Sequence, residues 1–129
     1  MNLIKIKDPS KKPESQLCLG IDFGTTNSVC SIKFEKEFKF ISDKTGKKLI
    51  PTIILYDKKK IFGNDVLNEQ NYFKSIFSVK RNFIKNYETK TFIDENSNKI
   101  SSLDVSKDFF VYLKGLCETC LKKKVHDCV

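Results

Sequence analysis

The segment at residues 17–34 constrains the fold of this chain more than any other feature of its sequence. An apolar run ends in the carboxylate of Asp22, and a second β-rich run begins soon after Gly24. Two such runs, separated by a short polar segment with a glycine, are typical of antiparallel strands joined by a tight turn. The sequence therefore predicts strands at Leu17–Asp22 and Val29–Phe34, with a turn between them.

The residues of this turn have the chemistry of a phosphate-binding site. Gly24 has no Cβ, so the backbone is free to adopt a positive φ and to approach a ligand closely. Consecutive backbone N–H groups in a turn form a concave anion site, and the hydroxyls of Thr25 and Thr26 add donors. Asp22 stands where it would hold a metal ion or its bound water. An ordinary hairpin with a polar turn is the alternative, and a bare Gly-Thr-Thr does not separate the two.

The complete string D-x-G-T-T-N-S at residues 22–28 is more specific. After an apolar strand, it resembles the first phosphate-binding element of the actin-like ATPase superfamily, and most of all that of the heat shock protein 70 family, the DnaK and HscA chaperones. Three later segments are similar to the same family, at Leu49–Tyr56, Ile61–Asp65 and Ser78–Phe83. Residues 101–129 resemble its long helix and the start of the strand after it.

The resemblance divides the chain into two parts. It covers residues 17–129, whereas residues 1–16 form an N-terminal extension that contains Pro9 and Pro13. Within this extension, Leu3–Pro9 resembles the short extension of HscA-type members, which serve iron–sulfur cluster assembly. The resemblance therefore favours an HscA-like over a DnaK-like chaperone.

For the fold, the resemblance implies a partial actin-like ATPase (ribonuclease H-like) fold of the α/β class. It would comprise the N-terminal β-strands, a small subdomain and one long helix, truncated before the rest of the nucleotide-binding domain. In that family the first strand lies between the second strand and a later one. We therefore expect the first strand to have one unpaired edge here. We also expect the apolar stripe of the long helix to lose much of its packing surface. We therefore expect the isolated chain to be marginally stable at best and to have no ATPase activity of its own.

For the site, the resemblance implies that ATP or ADP binds with Mg²⁺. Residues 24–26 would wrap the β- and γ-phosphates, with Asn27 as a further contact. Asp22 would orient Mg²⁺ through water, and Lys80 would reach the attacking water or the γ-phosphate. Asp22 and Lys80 are thus the candidate catalytic residues. The implied partners are ATP, a J-domain co-chaperone, and an unfolded peptide or an iron–sulfur scaffold protein.

Other functions are left open by the sequence. The chain is either the front part of such a chaperone, a non-enzymatic remnant or small interaction module derived from one, or another actin-like ATPase such as a sugar kinase or filament protein. The match from Leu49 to Arg81 disfavours the last of these. The formal net charge of +8 admits a nucleic-acid partner. The lysines are spread along the chain, however, and Arg81 is its single arginine, which disfavours that partner.

The sequence has no signal for a membrane or for secretion. No apolar run approaches the roughly 20 residues that a membrane-spanning helix needs. The N-terminus is interrupted by Lys5, Lys7 and Asp8, so it lacks the apolar region of a signal peptide. A cytoplasmic location is the resulting expectation.

The five cysteines do not indicate a disulfide framework, because their number is odd and no secretion signal is present. Cys117 and Cys120 have the spacing of a redox or zinc pair, and His126 and Cys128 would complete a set of four zinc ligands. The competing interpretation places Cys117 and Cys120 on the apolar stripe of a helix.

That helix is predicted at Ser101–Lys124, with Ser101 as N-cap and Asp104 in the capping-box position. Its buried stripe is expected to consist of Val105, Phe109, Leu113, Leu116, Cys120 and Leu121. The other predicted elements are strands at Phe38–Ser42, Thr52–Tyr56, Lys60–Phe62, Thr91–Ile93, Asn98–Ile100 and 127–129, a short helix at Asn64–Asn71, and a helical or mixed segment at Ser75–Ile84.

Overall fold

A computed structural model of the protein describes residues 17–34, 36–83, 91–94 and 96–129. The predicted extension at residues 1–16 lies outside the described residues, as does Ile84 at the end of a predicted segment. The elements are β1 Cys18–Phe23, β2 Asn27–Phe34, β3 Glu37–Ile41, β4 Ile50–Pro51, β5 Ile53–Tyr56, β6 Lys60–Phe62, β7 Ile76–Phe77, β8 Thr91–Ile93, β9 Lys99–Ser101, α1 Ser102–Leu121 and β10 Asp127–Cys128. Short 3₁₀ helices lie at Gly63–Asn68, Tyr72–Lys74 and Val79–Phe83. The described chain is therefore mixed α/β, as predicted.

The main sheet has the strand order β10-β1-β2-β3, with β4 pairing to β2. β1 and β2 form the predicted antiparallel hairpin, in which Gly20 lies opposite Ser31 and Asp22 lies opposite Val29. β10 pairs with β1 in parallel. The Ile21 N–H donates to the Val129 carbonyl at 2.9 Å, and the Val129 N–H donates to the Leu19 carbonyl at 2.8 Å. These contacts pair residues 18–21, so the expectation of an unpaired edge on β1 is wrong for that part of the strand.

Helix α1 begins where the sequence predicts. The Ser101 hydroxyl accepts from the Asp104 N–H at 3.1 Å, and the Asp104 carboxylate accepts from the Ser101 N–H at 3.1 Å. The helix ends at Leu121, three residues before the predicted end, because Lys122 adopts a left-handed conformation with φ of 52°. Glu118 then holds the returning chain, since its carboxylate accepts from the Val125 N–H at 3.0 Å.

One face of α1 packs against the main sheet. Val105, Phe109, Leu113 and Cys117 follow one another at four-residue spacing and are buried in one cluster with β1, β2 and β3. The prediction that Cys120 belongs to this stripe is wrong, because the four-residue spacing selects Cys117 and leaves Cys120 exposed. Leu116 and Leu121 of the predicted stripe are only partly buried. The expectation that the stripe loses part of its packing surface is therefore wrong for Val105, Phe109 and Leu113 only.

A second, smaller sheet has the order β6-β5-β7, and β8 and β9 form a separate hairpin. The strand at Lys60–Phe62 is confirmed. The predicted helix at Asn64–Asn71 is a 3₁₀ helix at Gly63–Asn68 instead. Its first residue, Gly63, has φ of 58°, so a side chain there would be strained. The sequence missed β4, a strand of two residues.

The loop between β3 and β4 is organised by the buried carboxylate of Asp43. Its oxygens accept from the Thr45 N–H at 2.8 Å, the Lys47 N–H at 3.0 Å and the Asn64 side-chain amide at 2.7 Å. Burial by itself raises the pKa of Asp43, but these hydrogen bonds outweigh burial and hold the pKa below its usual range. The loop is thereby tied to the small sheet.

In the part of the chain that the structure describes, α1 and the shorter helical segments all lack the combination of length and apolar character that a membrane crossing requires.

Candidate functional site

The turn between β1 and β2 is the candidate site, and it is shorter than the sequence predicts. β2 begins at Asn27, two residues before its predicted start. Asn27 lies opposite Pro51 of β4, so it is a strand residue and not a turn residue. The turn itself is therefore limited to residues 24–26.

Gly24 is required by the turn because a side chain does not fit there. The glycines with positive φ are Gly46 and Gly63, so the turn does not use the left-handed conformation that Gly24 permits. A Cβ built on Gly24 would instead lie 2.0 Å from the carbonyl oxygen of Asn27. Real Cβ atoms essentially never come within 3.0 Å of another heavy atom, so the turn closes too tightly on itself to admit a side chain.

The far side of the turn is clamped by Thr52. The Thr52 N–H donates to the Thr26 carbonyl at 2.8 Å. The hydroxyls of Thr52 and Ser28 hydrogen-bond each other at 2.8 Å, and both residues are buried. Thr26 and Ser28 of the hairpin are therefore both held by Thr52, which follows β4.

The near side of the turn is anchored by Phe23. Its ring packs against Phe110 with a centroid distance of 4.9 Å and against Phe109 at 6.0 Å. The Phe23 carbonyl accepts a hydrogen bond of 2.9 Å from the Lys80 ammonium, which projects from the 3₁₀ helix at Val79–Phe83. Residues 57 positions apart in sequence thus meet at the base of the turn.

The candidate side chains divide into exposed and half-buried groups. Asp22, Thr26 and Lys80 are exposed, whereas Thr25 and Asn27 are half-buried. The structure therefore brings Lys80 to the turn that also carries Asp22, with both charged groups open to solvent. A cation beside backbone and hydroxyl donors attracts an anion, and an exposed carboxylate next to them suits a hydrated cation.

Asp22 also lines a groove of about 730 Å³ on the open face of the main sheet. Side chains alternate between the two faces of a strand, so Cys18, Gly20 and Asp22 lie opposite the face that carries buried Leu19. The groove runs from Asp22 towards Phe38 and Phe40 of β3. The turn is thus open on the sheet face that α1 does not cover.

The donor set fits Mg²⁺ held through water and gives no support to the zinc interpretation. Among the described residues, no group of three or more His, Cys, Asp or Glu side chains is placed to hold a metal ion. Mg²⁺ keeps several of its waters and needs only one or two carboxylates, so Asp22 alone is compatible with it. Cys117 is instead buried in the core cluster that also contains Cys30, while the Cys120 thiol donates to the Ser42 carbonyl at 3.8 Å.

Sequence reasoning missed Phe23, Ser28 and Thr52 as residues that shape the turn. The Ser28–Thr52 pair joins residues 24 positions apart, and no spacing rule connects them. The one usable signal was Ser28, a hydroxyl residue in a strand whose alternate positions are apolar. A buried hydroxyl needs a partner, so its presence predicts a polar contact without identifying the partner.

The fold and the turn together define a mixed α/β protein with a solvent-open β-hairpin turn flanked by one cation and one carboxylate. Residues 18–112 match the family model described as "Hsp70 protein". This match covers β1, the candidate turn, Lys80 and more than half of α1. The chain therefore belongs to the Hsp70 protein family.

Several curated relatives are similar to nearly all of this chain. The "Chaperone protein HscA homolog" of Rickettsia rickettsii (strain Sheila Smith) is 30% identical over 139 aligned residues, which cover 95% of this chain and 23% of that protein. The protein of the same name from Rickettsia bellii (strain RML369-C) is 28% identical, over 100% of this chain and 24% of the relative. The chain thus spans about a quarter of the length of the curated relatives that it matches.

Proposed function

We propose that this chain supplies the first phosphate-binding element of an ATP-dependent chaperone, HscA-like rather than DnaK-like. Membership of the Hsp70 family and the similarity to proteins named HscA homologs support this proposal. In the whole chaperone, ATP hydrolysis would drive cycles of peptide binding and release. Its client would be an iron–sulfur scaffold protein or unfolded segments, with a J-domain co-chaperone in the cytoplasm as a further partner.

The proposed architecture is the N-terminal part of an actin-like nucleotide-binding domain over residues 17–129, preceded by an extension at residues 1–16. The antiparallel β1–β2–β3 sheet, the parallel β10 and the packed helix α1 are compatible with it. ATP would lie over the turn, against the open end of β1. Because these 129 residues span about a quarter of the length of the relatives that they match, we expect no ATP hydrolysis from them alone.

Each residue of the turn has a defined role in this proposal. The N–H groups and hydroxyls of residues 24–26 would donate to the β- and γ-phosphates, with Asn27 at the edge of the contact. Asp22 would hold Mg²⁺ through its water shell, and bound Mg²⁺ would neutralise phosphate charge. Lys80 would place its ammonium against the γ-phosphate or the attacking water. Phosphoryl transfer depends mainly on such positioning and charge stabilisation.

The observation that carries the proposal is the 2.9 Å hydrogen bond from the Lys80 ammonium to the Phe23 carbonyl. Nothing in the local sequence requires a lysine of the small subdomain to reach this turn. The ammonium has three donors and uses one of them here, so the others remain available to an anion. A phosphate oxygen is a stronger acceptor than a neutral carbonyl because the contact is charge-assisted on both sides.

The test is titration calorimetry of magnesium and ATP with the wild-type chain, Lys80→Ala and Lys99→Ala. Lys99 is also an exposed lysine, in the β8–β9 hairpin, so it controls for the loss of one positive charge. A charge-assisted hydrogen bond contributes about 1.5–3 kcal/mol, so Lys80→Ala should weaken binding by roughly tenfold to a hundredfold. Lys99→Ala should bind like the wild type.

Equal affinity for all three proteins would contradict the role of Lys80. Absence of any magnesium–ATP binding to a folded chain would contradict the proposed function of the turn. Magnesium-dependent ATP turnover by the purified chain would show instead that the expected lack of activity is wrong.

A further inference from the structure

A groove of about 420 Å³ lies between the smaller sheet and the β8–β9 hairpin. Its lining residues come from β7, from β8 and from the two 3₁₀ segments on either side of β7. Residues 22–27, which form the candidate turn and its flanks, do not line it. A volume of about 300–1,000 Å³ is typical of pockets that hold small molecules. The groove is therefore large enough to be a binding site separate from the turn.

Two cations line this groove, Lys74 and Arg81, and none of the described residues that line it carries a carboxylate. Asp94 directly follows β8, but its carboxylate accepts hydrogen bonds from the backbone N–H groups of Asn96 and Asn98. In the part of the chain that the structure describes, neither Lys74 nor Arg81 belongs to an ion pair. The positive charge of the groove is thus available to an anion.

The groove also offers neutral donors and an aromatic ring. The donors are the hydroxyls of Ser75 and Ser78 and the side-chain amide of Asn82. The ring is that of Phe77, which is 65% exposed because its neighbour Ile76 takes the buried face of β7. An apolar ring beside two cations suits a ligand that joins an anionic group to a flat apolar one.

The 3₁₀ helix at Val79–Phe83 directs two adjacent cations to different places. Lys80 donates to the Phe23 carbonyl at the candidate turn, whereas Arg81 lines the groove. Arg81 is fixed relative to Ser78, since its backbone N–H donates to the Ser78 carbonyl at 3.0 Å. The candidate turn therefore accounts for Lys80 and leaves Arg81 without a role.

We propose that this groove binds a small phosphate monoester that carries a flat ring. The planar guanidinium of Arg81 matches two phosphate oxygens at once, and Lys74 supplies a second positive charge. A phosphate monoester has a charge of about −1.5 to −2 at neutral pH, so it matches two cations better than a carboxylate does. The ring of the ligand packs on Phe77. This site does not depend on the proposed function of the turn.

The test is a titration of the ¹⁵N-labelled chain with phenyl phosphate, without Mg²⁺, followed by nuclear magnetic resonance. We expect saturable shifts of the backbone amide signals of Ser75, Ser78 and Arg81. Inorganic phosphate lacks the ring and should bind roughly twofold to tenfold more weakly. Benzoate keeps the ring but has one charge, and it should bind at least about tenfold more weakly.

Substitutions separate the two parts of the site. Arg81→Ala should weaken phenyl phosphate binding by roughly tenfold to a hundredfold, and Arg81→Lys should recover only part of this loss because an ammonium lacks the planar fork. Phe77→Leu should abolish the preference for phenyl phosphate over inorganic phosphate. The matched control is Lys39→Ala, which removes an exposed positive charge from β3 and should bind like the wild type.

The proposal is overturned if the folded wild-type chain shows no saturable binding, or if Arg81→Ala binds phenyl phosphate as tightly as the wild type. Shifts confined to residues 24–26 would place the phosphate at the candidate turn and refute the groove. Benzoate binding as tight as that of phenyl phosphate would refute the phosphate class. Urea midpoints show whether each variant folds, and if Arg81→Ala does not, Arg81→Lys and the wild-type shifts decide the question.

Discussion

Replacing Gly24 with alanine should destabilise the protein, whereas the same replacement at Gly115 should stabilise it. At Gly24, the added Cβ would lie 2.0 Å from the Asn27 carbonyl oxygen. At Gly115, in the interior of α1, nothing lies within 4 Å of the new methyl group. The two variants therefore make an identical chemical change in opposite environments.

The size of the effect at Gly24 follows from what must move. To restore a separation of at least 3.0 Å, the turn has to shift by about 1 Å. Such a shift breaks the hydrogen bond between the Thr52 N–H and the Thr26 carbonyl and strains the buried Ser28–Thr52 pair, both of which are 2.8 Å long. A lost hydrogen bond costs about 1 kcal/mol, and an unsatisfied buried group costs about 1–3 kcal/mol, so the expected loss is about 2–4 kcal/mol.

At Gly115 the expected gain in the free energy of unfolding is about 1 kcal/mol, the difference between glycine and alanine in a helix interior. The assay is urea denaturation followed by the circular dichroism of the helix. Gly24→Ala is measured in the wild-type chain and again in the Gly115→Ala chain, whose greater stability keeps the transition measurable. An unfolding free energy for Gly24→Ala within about 0.5 kcal/mol of its parent would refute the reasoning.

Two further predictions concern buried polar groups. Thr52→Val leaves the buried Ser28 hydroxyl without its partner, so the free energy of unfolding measured in urea should fall by about 1–3 kcal/mol. The double variant Ser28→Ala/Thr52→Val should recover part of that loss. Additive losses from the two substitutions would contradict the pairing. The folded state lowers the pKa of Asp43, so its contribution to stability is fully present above the unfolded pKa of about 3.9 and is lost as the pH falls through the lower folded pKa. Asp43→Asn should therefore be less stable than the wild type at neutral pH, and its free energy of unfolding should approach that of the wild type in acid. A difference in free energy of unfolding that stays constant from neutral pH into acid would contradict the role of the Asp43 carboxylate.

The local pattern of the sequence determined the hairpin and the helix. An apolar run and a β-rich run predicted β1 and β2, and the serine–aspartate capping box located the first residue of α1. These features depend on contacts between residues close in sequence, so the sequence contains all the information. The motif at residues 22–28 gave the family in the same way.

The end of α1 and its buried face were harder to predict. The lysines at 122–124 favoured a longer helix, but a left-handed Lys122 and the bond from Val125 to Glu118 turn the chain back. The sequence placed both Cys117 and Cys120 on the apolar stripe, because both spacings are compatible with an amphipathic helix, but only Cys117 is buried. Only packing against β1, β2 and β3 distinguishes the two positions.

What the sequence determined alone is therefore the chemistry of the candidate turn: its glycine, its hydroxyls and its acid. The tertiary structure decided what holds that turn and what faces it. It brought Lys80 to the Phe23 carbonyl and Thr52 to the Thr26 carbonyl. These contacts join residues 57 and 26 positions apart. The physical reason is that side chains this distant along the chain meet only when the burial of a common core fixes the elements that carry them.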